Sequence, residues 1–191
     1  MTVATPTTRE SLLAAAVELL RSVGYASFSY RDLAEAVGIR TASIHYHFPS
    51  KSDLGVALVE ELRLATRERE RALVADHPNV RNRLLALCSH IAEHTCGDHK
   101  SCPINLLQAE YAVLPEPVQR AVTSLVDEKL SIITRWLDEG RQAGHLRFPG
   151  APEAQARLVW AVIEYGTQFI RSHPDQSFIA ITRQLIDTMS L

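Results

Sequence analysis

A chain of 191 residues, 46% hydrophobic and 22% charged, is long enough to bury a core in one or two domains. Its net charge of −2 argues against loose, charge-driven coating of nucleic acid, and three cysteines are too few for a disulfide framework. No apolar run reaches the length of a membrane span, and MTVATPTTRE lacks the charged start and apolar middle of a signal peptide, so a cytoplasmic protein with reduced thiols is expected.

The first predicted helix is Thr8–Val23, with Leu12, Leu13, Ala16, Val17 and Leu20 on its apolar face. A shorter helix starts near Ser29 or Tyr30 and carries Leu33, Ala34 and Val37 on one side. Gly38 follows where a helix stops and the chain turns sharply. Ile39 points back to the core, and Arg40 or Thr41 opens another short helix with Ile44 and Phe48 inward. That leaves Arg40, Thr41, Ala42, Ser43, His45, Tyr46 and His47 as the less buried set. Short polar groups, a methyl and aromatic hydrogen-bonders suit a helix that enters a DNA major groove. Pro49 ends this helix, Ser50 is a natural N-cap for the next, and Lys51 sits in its first turn. A cation there opposes the helix dipole, so a phosphate partner would rationalise it. Met1–Lys51 carries +1 and the remainder −3, a mild asymmetry that favours a small, oriented contact. A short amphipathic helix pair alone is common in proteins that bind no DNA.

The whole segment TRESLLAAAVELLRSVGYASFSYRDLAEAVGIRTASIHYHFPSKSDL (Thr8–Leu54) resembles the TetR/AcrR family of bacterial transcriptional regulators. The Gly24–Tyr25 turn, Phe28 and the Phe-Pro-Ser-Lys end fall in family positions; many members have Tyr-His-Tyr where this chain has His45, Tyr46 and His47. The resemblance implies an all-α protein, with a three-helix helix-turn-helix DNA-binding domain over residues 1–52. A helical effector-binding and dimerisation domain would occupy residues 53–191. It implies DNA contacts from Ser29, Tyr30, Arg31, Arg40, Thr41, Ala42, Ser43, His45, Tyr46, His47 and Lys51. The implied function is that of a homodimeric repressor, released from a palindromic double-stranded operator by a small-molecule effector. No cofactor and no catalytic activity are expected.

Beyond the head the pattern is helical throughout. Ser50–Ala75 repeats Leu54, Leu58, Leu62 and Ala65 at near four-residue spacing, and Arg67–Arg71 (RERER) reads as a solvated face. His77–Pro78–Asn79 breaks it. Val80–Thr95 places Leu84, Leu87, Cys88 and Ile91 inward. A loop over Gly97–Pro103 precedes a short helix, Ile104–Ala112, and Pro115 with Pro117 starts another that runs to about Gly144. Ala151–Ser172 and Phe178–Met189 close the chain. Their apolar residues, Val159, Trp160, Ile163, Gly166, Phe169, Ile170, Phe178, Ile179, Ile181, Leu185 and Ile186, exceed the need of one small domain face. Core packing and a dimer-forming bundle both accommodate them, and the resemblance favours the bundle.

Cys88–Cys102 (CSHIAEHTCGDHKSC) holds all three cysteines and carries three readings. His90 and His94, four apart on one helix face, could share a metal completed by Cys96, His99 or Cys102, though no Cys-x-x-Cys pair anchors it. By resemblance to electrophile- and oxidant-sensing relatives, SCPINLLQAE (Ser101–Glu110) makes Cys102 a reactive thiol, with Lys100 and His99 beside it. The plainest reading has Cys88 in the core and Cys102 packing or lining an effector pocket with Asn105, Leu106, Trp136, Trp160 and Glu164. Alternatives of another class are a ligand-binding protein without DNA binding and a metal-dependent enzyme. The chain has no phosphate loop, nucleophile elbow or His-Glu-x-x-His run.

Overall fold

The computed structural model describes residues 6–95 and 101–190. Nine α-helices run through them: α1 (Thr8–Val23), α2 (Tyr30–Val37), α3 (Thr41–His47), α4 (Lys51–Asp76), α5 (Val80–Thr95), α6 (Pro103–Ala109), α7 (Glu116–Gln142), α8 (Pro152–Ser172) and α9 (Phe178–Thr188). A 3-10 turn covers Tyr111–Val113. Among the described residues the β structure is limited to an isolated bridge between Leu146 and Ser190. No described helix is long and apolar enough to cross a membrane.

Packing divides the chain into two compact units. One takes in Met1–Leu64 and Pro103–Ser124, the other Ala65–Cys102 and Leu125–Leu191. Helices α4 and α7 each begin in the first and end in the second. The segment Pro103–Ser124 therefore packs with the N-terminal helices, which the division of roles at residues 52 and 53 did not suggest.

In the first unit the helix ends are written in local chemistry. Thr7 and Glu10 form a capping box at α1, and Ser29 and Asp32 form another at α2, each satisfying backbone N–H groups that no helical carbonyl can reach. At α4 the Ser50 N–H donates to Asp53 Oδ2 at 3.0 Å, and Asp53 N–H donates to Ser50 Oγ at 3.2 Å. Helix α2 stops at Gly38, whose φ of 74° lies in the left-handed region. Helix α3 stops one residue earlier than Pro49 suggested: Phe48 is already extended, at φ −137°, as a residue preceding proline prefers. Leu12, Ala16, Leu20, Leu33, Ile44, Leu54, Leu58 and Val59 are fully buried and join the four helices.

The core of the second unit is built from α5, α8, α9 and the later part of α7, with Leu84, Trp136, Leu137, Val159, Ile163, Phe178 and Ile186 buried in it. Arg83 interrupts this apolar set at 2% exposure. Its guanidinium holds both carboxylate oxygens of Glu139, at 2.7 and 3.1 Å, and donates through Nε to His77 O at 3.1 Å. A buried arginine persists only with such pairing.

Several residues assigned to a dimer face belong instead to this core: Val159, Ile163, Gly166, Phe178 and Ile186 are buried within it. Helical periodicity explains the change. Positions 159, 163 and 166 face inward, so 158, 162, 165 and 169 turn the other way. Leu158 is 58% exposed and Tyr165 68%, and the Tyr165 and Phe169 rings lie 5.8 Å apart.

Candidate nucleic-acid interface

Helix α3 is seven residues long and is held from below by Ile44 and Phe48, at 0% and 2% exposure. Its other side chains are outward. Thr41, Ala42, Ser43, His45 and Tyr46 are exposed and His47 is half-buried, with no acidic residue in the helix. Tyr46 is 85% exposed. Ala42, Ser43, Tyr46 and His47 share one open hollow with Thr8 and Ile39. Arg31 and Arg40 are exposed nearby in sequence, on α2 and at the start of α3.

Four of the residues expected to contact DNA are engaged within the unit. The Ser29 side chain caps α2. Tyr30 donates its hydroxyl to Phe48 O at 2.9 Å. His45 shares a hydrogen bond with Pro49 O at 3.2 Å and meets the Tyr30 ring edge-on at 4.9 Å. Lys51, expected to face phosphate, turns inward. Its ammonium donates to Phe28 O at 2.5 Å and Ala26 O at 3.4 Å, and it lies 4.8 Å from the Tyr25 and Phe28 ring centres. Burial lowers its pKa from the usual lysine value, against the pull of Glu110 and Asp32. The two carbonyls belong to the turn between α1 and α2, so Lys51 ties α4 to that turn.

A residue outside the N-terminal segment completes this arrangement. The Glu110 carboxylate accepts the Ala26 N–H at 3.0 Å. It also fills the space beside Gly24, whose φ is 85° and where a Cβ would meet Glu110 Oε1 at 2.1 Å. Sequence reasoning missed Glu110, because the contact spans 84 residues and has no local signature.

The model of the bacterial regulatory proteins of the tetR family matches residues 12–58, and that of the tetracyclin repressor-like C-terminal domain matches residues 81–186. The chain belongs to the TetR family. It is 28% identical over 158 residues to the HTH-type transcriptional repressor NemR of Escherichia coli K12, across 81% of this chain and 79% of that one. A TetR-family regulator of Agrobacterium tumefaciens is 31% identical, with a TM-score of 0.90 over 96% of this chain and 97% of that one. A TetR transcriptional regulator of Legionella pneumophila is 26% identical, with a TM-score of 0.85 over 98% and 100%. Like other TetR-family members, the chain is a DNA-binding transcriptional regulator, a non-enzymatic class.

The second unit of this TetR-family protein contains a cavity. Its walls come from α4, α5, α7 and α8 and include Leu73, Leu87, Ile132, Ile133, Trp136, Trp160 and Ile163. Two basic residues, Arg69 and Lys129, also line it. Of the expected pocket residues, Trp136 and Trp160 are in the wall. Glu164 interacts electrostatically with Lys129, and burial pushes its carboxyl up to about 7 despite that attraction. Cys102 is half-buried and within electrostatic reach of Arg69 and Lys129. Asn105 and Leu106 lie on α6 in the first unit and do not line the cavity.

Arg69 and Lys129 were missed, and Arg69 had a signal. It lies four residues beyond Ala65 and four before Leu73, on the face of α4 that the leucine repeat marks. The solvated reading holds for Arg67, which is exposed and pairs with Glu128 at 2.5 Å, whereas Glu70 lines the same cavity and pairs with Arg135.

The His90 and His94 rings stack at 3.9 Å, and with Glu93 they bring three possible ligand atoms within 4.8 Å of one another. Cys96 and His99 lie outside the described residues. His94 Nδ1 is already bonded to His90 O at 2.8 Å. Burial, then Arg69 and His94, lower His90 to about 4. Cys88 is a core residue at 3% exposure, and burial pushes its thiol up to about 11.

Proposed function

We propose that this chain is a homodimeric repressor, released from a palindromic operator by a small organic effector in the cavity of the second unit. The carrying observation is the outward face of α3: short polar groups, no acid, and a tyrosine at 85% exposure on a helix fixed by buried Ile44 and Phe48. A large exposed aromatic on a rigid short helix suits base-edge and phosphate contact. Residues 1–52 carry the reading function and residues 53–191 effector binding and dimerisation. Arg40, Thr41, Ala42, Ser43, Tyr46 and His47 meet the groove, and Arg31 meets phosphate. Ser29, Tyr30, His45 and Lys51 act as positioning residues, on the strength of their internal hydrogen bonds. A cytoplasmic location follows from this role.

The outward stripe on α8, with Leu158 and Tyr165 exposed and Val162 and Phe169 half-buried, supports the dimer, because apolar area of this kind is covered in an assembly. Two-fold symmetry then sets two α3 helices about one DNA turn apart, roughly 34–36 Å. An effector releases DNA only if it prefers a state that binds DNA poorly. The continuous helices α4 and α7, which pass from one unit into the other, and the Glu110 tie to the α1–α2 turn supply routes for that preference.

Tyr46→Ala tests the reading. Operator affinity should fall about tenfold, matching the loss of one good base contact, while sedimentation still shows a dimer. Unchanged affinity would remove α3 from the interface.

A thiol-sensing version is favoured by the two cations within electrostatic reach of Cys102. In that version Cys102→Ser abolishes release by N-ethylmaleimide, and full release in the variant contradicts it. The metal-sensing version is weaker, because the positive charge of Arg69 acts on His90 and opposes a divalent cation there.

A further inference from the structure

We infer that the cavity of the second unit takes a small organic anion, a monocarboxylate on an apolar body. The inference rests on the reading of that cavity as the effector site and adds the chemistry of its occupant.

Three groups carry it. Arg69 and Lys129 line the cavity, and among the described residues neither has a hydrogen bond or ion pair. The third is Trp136, which is 2% exposed and lines the same cavity, with a buried indole N–H that has no acceptor among the described residues. Buried indole N–H groups nearly always find one. Two cations and one orphaned donor thus border a single space, and an acceptor is the missing element.

The surrounding carboxylates do not fill that role. Glu70 lines the cavity too, but its carboxylate is taken up by Arg135, and Glu128 is paired with Arg67. Glu164 exerts a pull on Lys129, yet burial holds its carboxyl near half-protonation at neutral pH. Arg69 and Lys129 also repel each other, and the Lys129 ammonium lies 5.5 Å from the Trp160 ring centre. A carboxylate between them would relieve that repulsion through charge-assisted hydrogen bonds. The same two charges disfavour a cationic ligand. Leu73, Leu87, Ile132, Ile133 and Ile163 would remain in contact with the rest of the molecule, so a bare inorganic anion would leave the apolar wall unmatched.

Both tryptophans of the chain line this cavity, so intrinsic fluorescence reports its occupancy without any DNA present. The probes are phenylacetate and hexanoate, their neutral amides, and phenethylamine. Saturable emission changes are expected with at least one acid, about tenfold or more weaker with its amide, and none with the amine. Lys129→Met and Arg69→Gln, each checked for folding by circular dichroism, should each bring acid and amide to within about threefold of one another. An amide that binds as well as its acid, an amine that binds better, or no saturable change with either acid would overturn the inference. Release of operator by a neutral compound alone would sink the anion assignment and leave the repressor reading standing. Acid-selective binding by a protein that protects no DNA would do the reverse.

Discussion

Gly55 sits where α4 passes closest to its neighbours. An added methyl there would lie 2.7 Å from Val118 Cγ2, 2.8 Å from the Tyr25 hydroxyl and 2.9 Å from Tyr25 Cε2. Two effects of Gly55→Ala oppose each other. Alanine in a helix interior gains about 1 kcal/mol over glycine. Forcing a methyl into a packed site costs about 1–3 kcal/mol. The rigidity of the neighbours decides the sign. Tyr25 is 3% exposed and its hydroxyl donates to Lys51 O at 2.7 Å, while Val118 is fully buried. Neither can retreat without breaking that bond or opening the core. The overpacking term therefore wins, and the variant should lose up to about 2 kcal/mol of stability, the upper cost less the helix gain. Denaturant unfolding of the purified protein measures this as a lower midpoint at unchanged slope. Stability equal to or above that of the parent would show that α4, Tyr25 and Val118 do not approach this closely.

Glu164→Gln tests the buried carboxyl. Its folded pKa, about 7, lies above the ordinary 4.5, so the folded state keeps a proton that the unfolded chain releases. Stability from this group is full below pH 4.5 and falls as pH rises toward 7, by about 3 kcal/mol in all. The glutamine variant should flatten that slope, and an unchanged pH profile would contradict the assignment. Lys51→Met removes the bonds to Phe28 O and Ala26 O and should cost about 1–3 kcal/mol of stability. Its operator affinity should fall with no change in the salt dependence of binding. A salt slope reduced by about one would instead mean that Lys51 neutralises a phosphate.

The helices were legible because their signals are local. The cap at Ser50, the left-handed Gly38 and the apolar repeats of α1, α4 and α5 each act within a turn or two of chain. The body of the candidate site was less legible because its groups meet across long separations. Lys129 and Trp160 come from different helices, and Glu110 reaches Ala26 from 84 residues away. Composition misled in two places. RERER looked like a solvated run, yet Arg69 lines the cavity. The surplus of apolar residues in α8 looked like a dimer face, yet Val159 and Ile163 serve the core, and the exposed stripe lies on the opposite side, at Leu158 and Tyr165. Lys51 shows a third limit. Its position in the first turn of α4 suggested phosphate, whereas its side chain is long enough to reach two carbonyls of the α1–α2 turn.

Sequence-specific DNA binding through α3 is tested by selecting bound fragments from a random DNA pool and footprinting them. One palindrome should be enriched, protected in two half-sites about one helical turn apart, with protection lost in Tyr46→Ala. Failure to enrich any sequence, or a footprint unaltered by that substitution, would contradict it.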